Sequence, residues 1–390
     1  MSEEVGLLVV GGGPAGLSAA RAFRAAGGGG AVALVTDEHR MPYNRPPLTK
    51  EFLRGESSED ELPIEDETWL ADQDVRLVSG RAVALDPSDR SVSLSGGREL
   101  RYQSCVLATG AEPTRLPVPG ADHPAVRVIR TLDHVRELTA RLRTGDPVVV
   151  IGSGFIGCEI AASLRRRGHE VTLVSDETEP NVARLDRAAA ERIHRWLDEE
   201  GVQLHLGAEV EQIASIADGS LEVRAGAVRA TGKVVVMAAG VAPRTELAVA
   251  AGLELSAGAV PVDASMRTAG DSLYAAGDVA FALNTSAGRR LRVEHWGDAL
   301  GQGEVAGQSA AGQPAEWDAV PGFWSTIGDH TLKYSAWGDG FKQSRLENHG
   351  DGAFTAWYGR DGKIVGVLTH EADEDYARGR ELIERGAPWS

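Results

Sequence analysis

Two glycine-rich motifs constrain the fold of this chain more than any other feature. The first spans residues 11–16 (GGGPAG) and the second spans residues 152–157 (GSGFIG). Each follows an apolar stretch that predicts a buried parallel strand, residues 5–10 and 147–151, and each precedes a segment with helical periodicity. Glycine in such a turn allows a tight bend, lets the backbone approach a pyrophosphate and lets the helix pack on the strand. The helix N-terminus then faces the phosphates, so the sequence predicts two dinucleotide sites in one chain.

The pattern around the motifs predicts an α/β fold with two Rossmann-like, doubly wound nucleotide-binding domains and a small C-terminal α+β domain. At 390 residues the chain is long enough for two or three domains. Strand-like patterns dominate from residue 316, with a hairpin turn predicted at Asp361-Gly362. The predicted domains are residues 1–112 with 236–315, residues 113–235, and residues 316–390.

Composition excludes several classes of function. The net charge of −17 argues against non-specific binding to nucleic acids or to anionic membranes. No apolar run is long enough to span a bilayer, and the acidic start (MSEE) differs from a basic secretory signal. The cysteines, Cys105 and Cys158, lie inside predicted buried elements, and no Cys or His cluster has the spacing of a metal site. We therefore expect a cytoplasmic protein without a metal site.

The residues after the first motif indicate which dinucleotide it holds. Asp37 and Glu38 follow the second predicted strand, where an acid binds ribose hydroxyls in folds of this kind. The segment 43–50 (YNRPPLTK) resembles a motif of the FAD-dependent ferredoxin reductases of the pyridine-nucleotide oxidoreductase group. This group includes the putidaredoxin and rubredoxin reductase types and shares its ancestry with apoptosis-inducing factor. The resemblance covers most of the chain and implies FAD at the first motif.

The resemblance also implies roles for individual residues at the flavin. Arg45 and Lys50 are implied to contact FAD, with Lys50 near the reactive N5 edge, where a cation favours the anionic reduced ring. Asp278, in the segment 273–278 (LYAAGD), is implied to bind the ribityl or pyrophosphate part. The FAD site expected from motif and resemblance together comprises Gly11, Gly13, Pro14, Ala15, Gly16, Asp37, Glu38, Arg45, Lys50, Val83 (by its backbone, at the adenine), Ala108, Thr109, Gly110, Arg130, Asp278, Glu294, His295 and Trp296.

The second motif predicts the site of a nicotinamide dinucleotide. The resemblance adds Glu159, which is implied to lie near the nicotinamide and is expected to pair with Lys50. A buried charge pair of this kind would point to function, because burying charges is costly. The predicted NAD(P) site comprises Gly152, Gly154, Phe155, Ile156, Gly157, Glu159, Asp176, Glu177, Arg184 and Gly240.

The choice of coenzyme depends on the residues after the strand at 170–174. Asp176 and Glu177 stand where an acid would bind a ribose 2′-hydroxyl, and no basic residue follows the strand directly, which favours NADH. Related reductases often have the acid directly after the strand, where this chain has Ser175. Arg184 could reach a 2′-phosphate, so NADPH stays open as the less favoured coenzyme.

The positions of the cysteines limit the kinds of acceptor to which the flavin can pass its electrons. Disulphide reductases of this fold need a cysteine pair beside the flavin, and the peroxidase branch needs one cysteine in the same early region. No cysteine precedes Cys105, so we interpret both thiols as inert and buried. We expect hydride transfer from NADH to FAD, followed by single-electron steps to an external [2Fe-2S] ferredoxin. Ferredoxins are usually acidic, so a basic docking site is predicted at Arg289, Arg290 and Arg292.

The C-terminal domain holds the main departure from related reductases. Residues 321–325 (PGFWS) resemble a Phe-Trp-Ser segment that approaches the flavin, which adds Trp324 to Lys50 and Glu159 as an implied catalytic residue; the alternative is a core tryptophan. Residues 326–328 (TIG) replace an acid-glutamine-aromatic run, which leaves the acceptor open. The candidate functions are a ferredoxin reductase serving an oxygenase or a cytochrome P-450, an NADH oxidase or quinone reductase without a protein acceptor, and a redox-sensing binding protein similar to apoptosis-inducing factor. A monomer or weak dimer is expected.

Overall fold

The structure of this chain, a computed structural model, describes residues 3–389, and its first part builds most of one nucleotide-binding sheet. The elements are β1 (Glu3–Val10), α1 (Pro14–Ala25), β2 (Val32–Thr36), α2 (Glu51–Arg54), α3 (Glu67–Asp72), β3 (Val75–Ser79), β4 (Ala82–Asp86), β5 (Ser91–Leu94), β6 (Glu99–Leu107) and β7 (Ala111–Pro113). Residues 7–10 of β1 pair in parallel with 32–35 of β2 and 104–107 of β6, and these strands are buried on both faces. The sheet order is β3-β2-β1-β6-β5-β4, in which β4 and β5 are antiparallel additions.

The second part of the chain forms the other nucleotide-binding domain. Its elements are β8 (Val126–Arg127), α4 (Leu132–Arg141), β9 (Pro147–Ile151), α5 (Phe155–Arg166), β10 (Glu170–Val174), α6 (Arg187–Glu199), β11 (Gln203–His205), β12 (Gln212–Ser215), β13 (Leu221–Ala225), β14 (Val228–Gly232) and β15 (Val234–Met237). Parallel pairing gives the order β11-β10-β9-β15-β8, and β12-β13-β14 form a separate antiparallel sheet. α6 begins after Asp186, whose carboxylate accepts a hydrogen bond from the Ala189 amide at 2.9 Å.

The chain then returns to complete the first domain. The elements are β16 (Val241–Pro243), α7 (Glu246–Ala250), β17 (Val260–Val262), β18 (Leu273–Ala275), β19 (Ala280–Asn284), β20 (Arg289–Arg292) and α8 (Trp296–Ala310). β18 lies parallel to β6 in the first sheet, with Leu273 opposite Cys105, and α8 packs along α1. β7 and β16 pair antiparallel where the chain passes between the domains. β15 belongs to the second sheet as far as Met237, two residues beyond the predicted boundary between residues 235 and 236.

The last part is an antiparallel sheet with one helix on it. Its elements are β21 (Gly322–Ile327), β22 (His330–Ala336), β23 (Gln343–Gly350), β24 (Ala353–Arg360), β25 (Lys363–His370) and α9 (Asp373–Glu384). The order is β21-β22-β25-β24-β23, and Asp361-Gly362 forms the predicted hairpin turn, with φ of 51° and 76°. Phe354, on one face, contacts Trp196 of α6 at 6.3 Å between ring centroids. Thr355, on the other face, donates a hydrogen bond to Asp375 of α9 at 2.7 Å. The predicted fold class is thereby confirmed.

Candidate active site between two nucleotide-binding domains

A cavity opens at the carboxyl ends of the parallel strands of the first domain. Two glycines of the first motif could not be replaced by any other residue without displacing backbone atoms. A Cβ on Gly11, whose φ is 126°, would lie 2.0 Å from the Ala108 carbonyl oxygen, and a Cβ on Gly16 would lie 2.0 Å from the Gly11 carbonyl oxygen. A Cβ on Gly13 would meet no other atom within 4 Å. The loop therefore presents its backbone to the cavity just before α1 begins. Backbone amides at an uncapped helix N-terminus suit a pyrophosphate, and the residues present therefore fit a dinucleotide such as FAD.

Most of the predicted flavin residues line this one cavity. Those that the sequence predicted are Gly11, Gly13, Pro14, Ala15, Asp37, Glu38, Arg45, Ala108, Thr109, Gly110, Arg130 and Asp278. Sequence reasoning missed other lining residues, namely Gly12, Thr36, Ala111, Thr131, Arg244, Ala276, Gly277 and Ala299. All but Arg244 and Ala299 lie within two residues of a motif or residue that the sequence analysis names, and that proximity was the available signal.

Two linked ion pairs organise the polar wall of the cavity. Arg45 binds Glu38 with 2.5 Å between guanidinium nitrogen and carboxylate oxygen, and the same guanidinium donates to the Arg130 carbonyl at 2.8 Å. Arg130 in turn binds Asp278 at 2.6 Å. Burial alone would raise the pKa of Glu38, but the Arg45 charge and the hydrogen bond donated by the Tyr43 hydroxyl lower it overall. Glu38 is therefore a carboxylate, and it is fixed in place before any ligand binds.

Lys50 and Glu159 form a buried pair between the two nucleotide-binding domains. The Lys50 Nζ lies 2.7 Å from Glu159 Oε2, and the side chains are only 8% and 2% exposed. Thr49 donates a second hydrogen bond to Oε2 at 2.6 Å, and Ser325 of the third domain donates one to Oε1 at 2.7 Å. The predicted contact between Lys50 and Glu159 is direct in this structure. The hydroxyl group of Thr49 thus belongs to the same buried group as Lys50 and Glu159.

The second glycine motif repeats the geometry of the first. Gly152 has φ of 102°, and its Cβ would lie 2.5 Å from the Ala238 carbonyl oxygen. A Cβ on Gly157 would lie 2.0 Å from the Gly152 carbonyl oxygen, whereas Gly154 faces open space and leaves the N-terminus of α5 without a side-chain cap. Ile156 is exposed in the first turn of α5, and the ring of Phe155 contacts that of Phe323 at 4.8 Å. These features fit a second dinucleotide pyrophosphate at α5.

The two predicted ribose acids differ in their surroundings. Glu177 accepts hydrogen bonds from the Ser153 hydroxyl at 2.8 Å and from two backbone amides of the following loop at 3.1 and 3.0 Å. Asp176 is exposed, and within residues 3–389 its side chain makes no hydrogen bond or ion pair. Glu177 therefore shapes the loop, and Asp176 is the acid available to a ligand. Gly240, with φ of 90°, also faces open space near the crossing strands.

The predicted residues on the flavin side surround a small aromatic cluster. His295 donates a hydrogen bond from Nδ1 to Asp298 Oδ2 at 3.0 Å, and its ring lies 4.7 Å from that of Phe323 between centroids. Glu294 lies 3.3 Å from the Arg292 guanidinium, and burial raises the pKa of its carboxyl group. Arg184 is exposed on the loop between β10 and α6. Trp296 is partly buried at the start of α8.

Further predicted residues lie at or near the surface. Trp324 is 43% exposed, which excludes the alternative of a core tryptophan. Val83 is 54% exposed on β4, outside the residues that line the cavity. In the predicted docking cluster, Arg289 forms an ion pair with Asp339, whereas the Arg290 guanidinium donates to the Val262 carbonyl at 3.1 Å.

Neither cysteine lines the cavity of the first domain, and Cys158 lies in α5 between Gly157 and Glu159. Cys105 and Cys158 are free and fully buried, and burial raises the pKa of both thiols. In the part of the chain that the structure describes, no three or more His, Cys, Asp or Glu side chains are grouped so that they could hold a metal ion. Across residues 3–389, none of the helices combines the length and the apolar character that crossing a bilayer requires.

Two Rossmann-like sites joined by a buried lysine–glutamate pair define a dinucleotide-dependent oxidoreductase. Residues 6–303 match the family model described as pyridine nucleotide-disulphide oxidoreductase, and the chain belongs to that family. It binds FAD and NAD(P)H, as members of the family do.

Relatives match over almost the whole chain. The anthranilate 1,2-dioxygenase system ferredoxin–NAD(+) reductase component of Burkholderia cepacia is 33% identical over 387 residues, which are 97% of this chain and 94% of the relative. The ferredoxin reductase for the CYP199A2 system from Rhodopseudomonas palustris gives a TM-score of 0.93 at 31% identity, covering 100% of this chain and 96% of that one. A chain of the covalent putidaredoxin reductase–putidaredoxin complex gives 0.92 at 26% identity, covering 98% and 94%. The predicted resemblance to this type of reductase is confirmed.

Proposed function

We propose that this chain takes a hydride from NADH onto FAD and passes single electrons to a [2Fe-2S] ferredoxin that serves an oxygenase or a cytochrome P-450. The observation that carries the proposal is the Lys50–Glu159 pair, in which a cation beside one dinucleotide site meets an acid beside the other at 2.7 Å. Relatives named as ferredoxin reductases support the acceptor. The two thiols support it as well, because they are buried and cannot act as an internal disulphide acceptor.

Each part of the site has a distinct task in this mechanism. Bound FAD supplies the chemistry, since it accepts a hydride and releases electrons one at a time. The two helix N-termini would hold the pyrophosphates, and the wall formed by Arg45, Glu38 and Asp278 would orient the flavin nucleotide. The positive charge of Lys50 would stabilise negative charge on the reduced cofactor. Glu159 holds Lys50 in position and keeps the buried charges balanced.

The acceptor is tested by mixing the purified, FAD-loaded protein with NADH, then adding a [2Fe-2S] ferredoxin with cytochrome c as the final acceptor. Fast turnover that depends on the ferredoxin is the expected result. Equal turnover with oxygen or a quinone alone would support an oxidase or quinone reductase instead. A long-lived reduced complex with negligible turnover would support a redox-sensing binding protein.

We propose that Asp176 makes NADH the preferred coenzyme by accepting hydrogen bonds from the ribose 2′-hydroxyl. Its free, exposed carboxylate supports this role, and its negative charge would repel the 2′-phosphate of NADPH. Asp176→Asn should lower kcat/KM for NADH about tenfold, because a hydrogen bond to a charged group contributes about 1.5 kcal/mol or more. Glu170→Gln, at the opposite end of β10, is the matched control and should change nothing. Equal kcat/KM for NADH and NADPH in the parent protein would contradict the assignment.

We propose that the ferredoxin docks at the cluster of Arg289, Arg290 and Arg292 on β20. Arg289 and Arg292 are each neutralised by a carboxylate of this chain, so Arg290 carries the net charge of the cluster. Arg290→Gln should therefore raise KM for the ferredoxin and flatten its dependence on salt, because screening acts on exposed charges. Arg289→Gln should have a smaller effect. A salt dependence that is the same in Arg290→Gln and in the parent would refute the docking site.

We also propose that the protein works in the cytoplasm as a monomer or weak dimer. The two free thiols suit a reducing compartment, in which disulphides are not maintained. Sedimentation of the FAD-loaded protein over a range of concentrations tests the oligomeric state, and a concentration-independent dimer would contradict it.

A further inference from the structure

Ser325 gives the third domain a direct contact with the reacting part of the enzyme. It lies on β21 opposite Leu332, is 1% exposed, and its hydroxyl reaches Glu159 Oε1 at 2.7 Å. We infer that Ser325 is a positioning residue for hydride transfer, which fixes the Glu159 carboxylate and, through it, Lys50. The inference rests on the proposed function, in which Lys50 faces the flavin.

The hydrogen bonds of Glu159 show why one hydroxyl matters. Oε2 receives two donors, the Lys50 ammonium at 2.7 Å and the Thr49 hydroxyl at 2.6 Å. Oε1 receives only the Ser325 hydroxyl within the described residues. Glu159 is 2% exposed, so water cannot replace a lost donor without rearrangement. A buried charged acceptor without a partner is costly, and the carboxylate would rotate or take up a proton instead.

The surrounding backbone holds each member of the group in place. Ser163, one turn along α5 from Glu159, donates to the Thr49 carbonyl at 2.7 Å, which fixes Thr49 and Lys50 to the second domain. Ser325 is held by antiparallel pairing between β21 and β22. The group thus draws Thr49 and Lys50 from the first domain, Glu159 from the second and Ser325 from the third. Glu159 is the point at which all three domains meet.

The loss of Ser325 should act on the chemical step more than on coenzyme binding. Glu159 belongs to α5 beyond the glycine turn, so the adenine half of the coenzyme does not depend on it. A reoriented Glu159 leaves Lys50 with a weaker partner and so shifts the position of the Lys50 ammonium group. A fall in kcat with little change in KM, together with altered flavin absorption, is the expected signature.

The test compares Ser325→Ala with Ser325→Thr, which restores a hydroxyl, and with Ser335→Ala as a matched control. Ser335 is also fully buried in the C-terminal sheet, and its hydroxyl donates to the Pro321 carbonyl at 2.8 Å, away from Glu159. The measurements are the stopped-flow rate of flavin reduction at saturating NADH, its pH profile, and the visible spectrum of the FAD-loaded protein. Ser325→Ala should reduce the rate about tenfold or more and move the acid limb of the profile to higher pH, whereas Ser325→Thr should recover most of the rate.

Two results would overturn the inference: a rate and pH profile unchanged in Ser325→Ala, or the same change in Ser335→Ala. Ser325→Cys keeps the volume with a weak donor, and it replaces Ser325→Ala if that variant does not fold. Lys50→Gln separates this inference from the proposed function. If Lys50→Gln leaves flavin reduction unchanged, the proposed role of Lys50 fails. If Lys50→Gln slows reduction and Ser325→Ala does not, only the role of Ser325 fails.

Discussion

Substitution of Gly303 by alanine should loosen the first domain at the base of its dinucleotide loop. Gly303 lies in α8 where this helix meets α1, and a Cβ there would stand 2.2 Å from the Ala15 carbonyl oxygen. Real contacts of this kind are not shorter than 3.0 Å, so the helices must separate by about 0.8 Å. Because the obstacle is backbone, no side chain can rotate to relieve it.

The expected net destabilisation is about 2 kcal/mol. Overpacking of a tight contact costs about 1–3 kcal/mol, and a backbone obstacle favours the upper value. Alanine in place of glycine returns about 1 kcal/mol of helix propensity. Gly301→Ala is the matched control, because it lies in the same helix and its Cβ would meet nothing within 4 Å. That control should be stabilised by up to about 1 kcal/mol, so the two variants should differ by about 3 kcal/mol.

Release of FAD during urea unfolding, followed by flavin fluorescence, measures this domain specifically. Gly303→Ala should unfold at lower urea and bind FAD more weakly, since Ala15 lies in the first turn of α1 and lines the cavity. Gly301→Ala should unfold at the same or higher urea with unchanged FAD affinity. The reasoning is refuted if both variants shift together, or if Gly303→Ala matches the parent in stability and affinity.

Two further predictions concern protonation and thiol chemistry. Burial and the nearby His370 lower the pKa of His330, which stacks on Trp196 with 4.4 Å between ring centroids and lies 3.8 Å from Glu199. His330 is therefore harder to protonate in the native state than in the unfolded state. The free energy of unfolding should be highest above about pH 6.5 and should decline as pH falls through the lowered pKa of His330 in the native state. His330→Phe keeps the stack and should flatten that decline in urea midpoints between about pH 5 and 7, and an unaltered slope would contradict it. Both cysteines should be unreactive towards a disulphide reagent in the native protein and should react fully after unfolding, because burial raises the pKa of both thiols. Rapid labelling of the native protein would contradict this prediction.

The parts of the fold that depend on local pattern could be predicted from the sequence. Continuous apolar runs and glycine turns predict β1, β9 and the helices that follow them, because each signal lies within a few neighbouring residues. β23 carries no such signal, since its sequence QSRLENHG is mostly polar and it forms an edge of the last sheet. The edge position allows polar residues on both faces, and the strand is recognisable only from its partner.

The candidate site could be predicted in its residues but not in all of its contacts. Lys50 and Glu159 were expected to meet, yet the hydroxyl of Ser325 on Glu159 comes from a strand far away in sequence. The hydrogen bonds that the Glu177 carboxylate accepts from backbone amides of the following loop were not predicted either. Both departures arise from hydrogen bonds between residues that tertiary packing brings together, and no periodicity or spacing in the sequence records them.

The position of β18 sets an order of events during synthesis. The second nucleotide-binding sheet is built from the continuous stretch 126–237, whereas the first sheet needs β18, residues 273–275, to cover the end of β6. Until the ribosome has passed that point, the backbone at Cys105–Leu107 is an open apolar edge, a form of surface that pairs readily with other chains. At roughly 5–20 residues per second, that edge stays uncovered for on the order of ten seconds. The yield of folded enzyme should therefore depend on how well the cell shields a nascent first domain that is still missing its last strand.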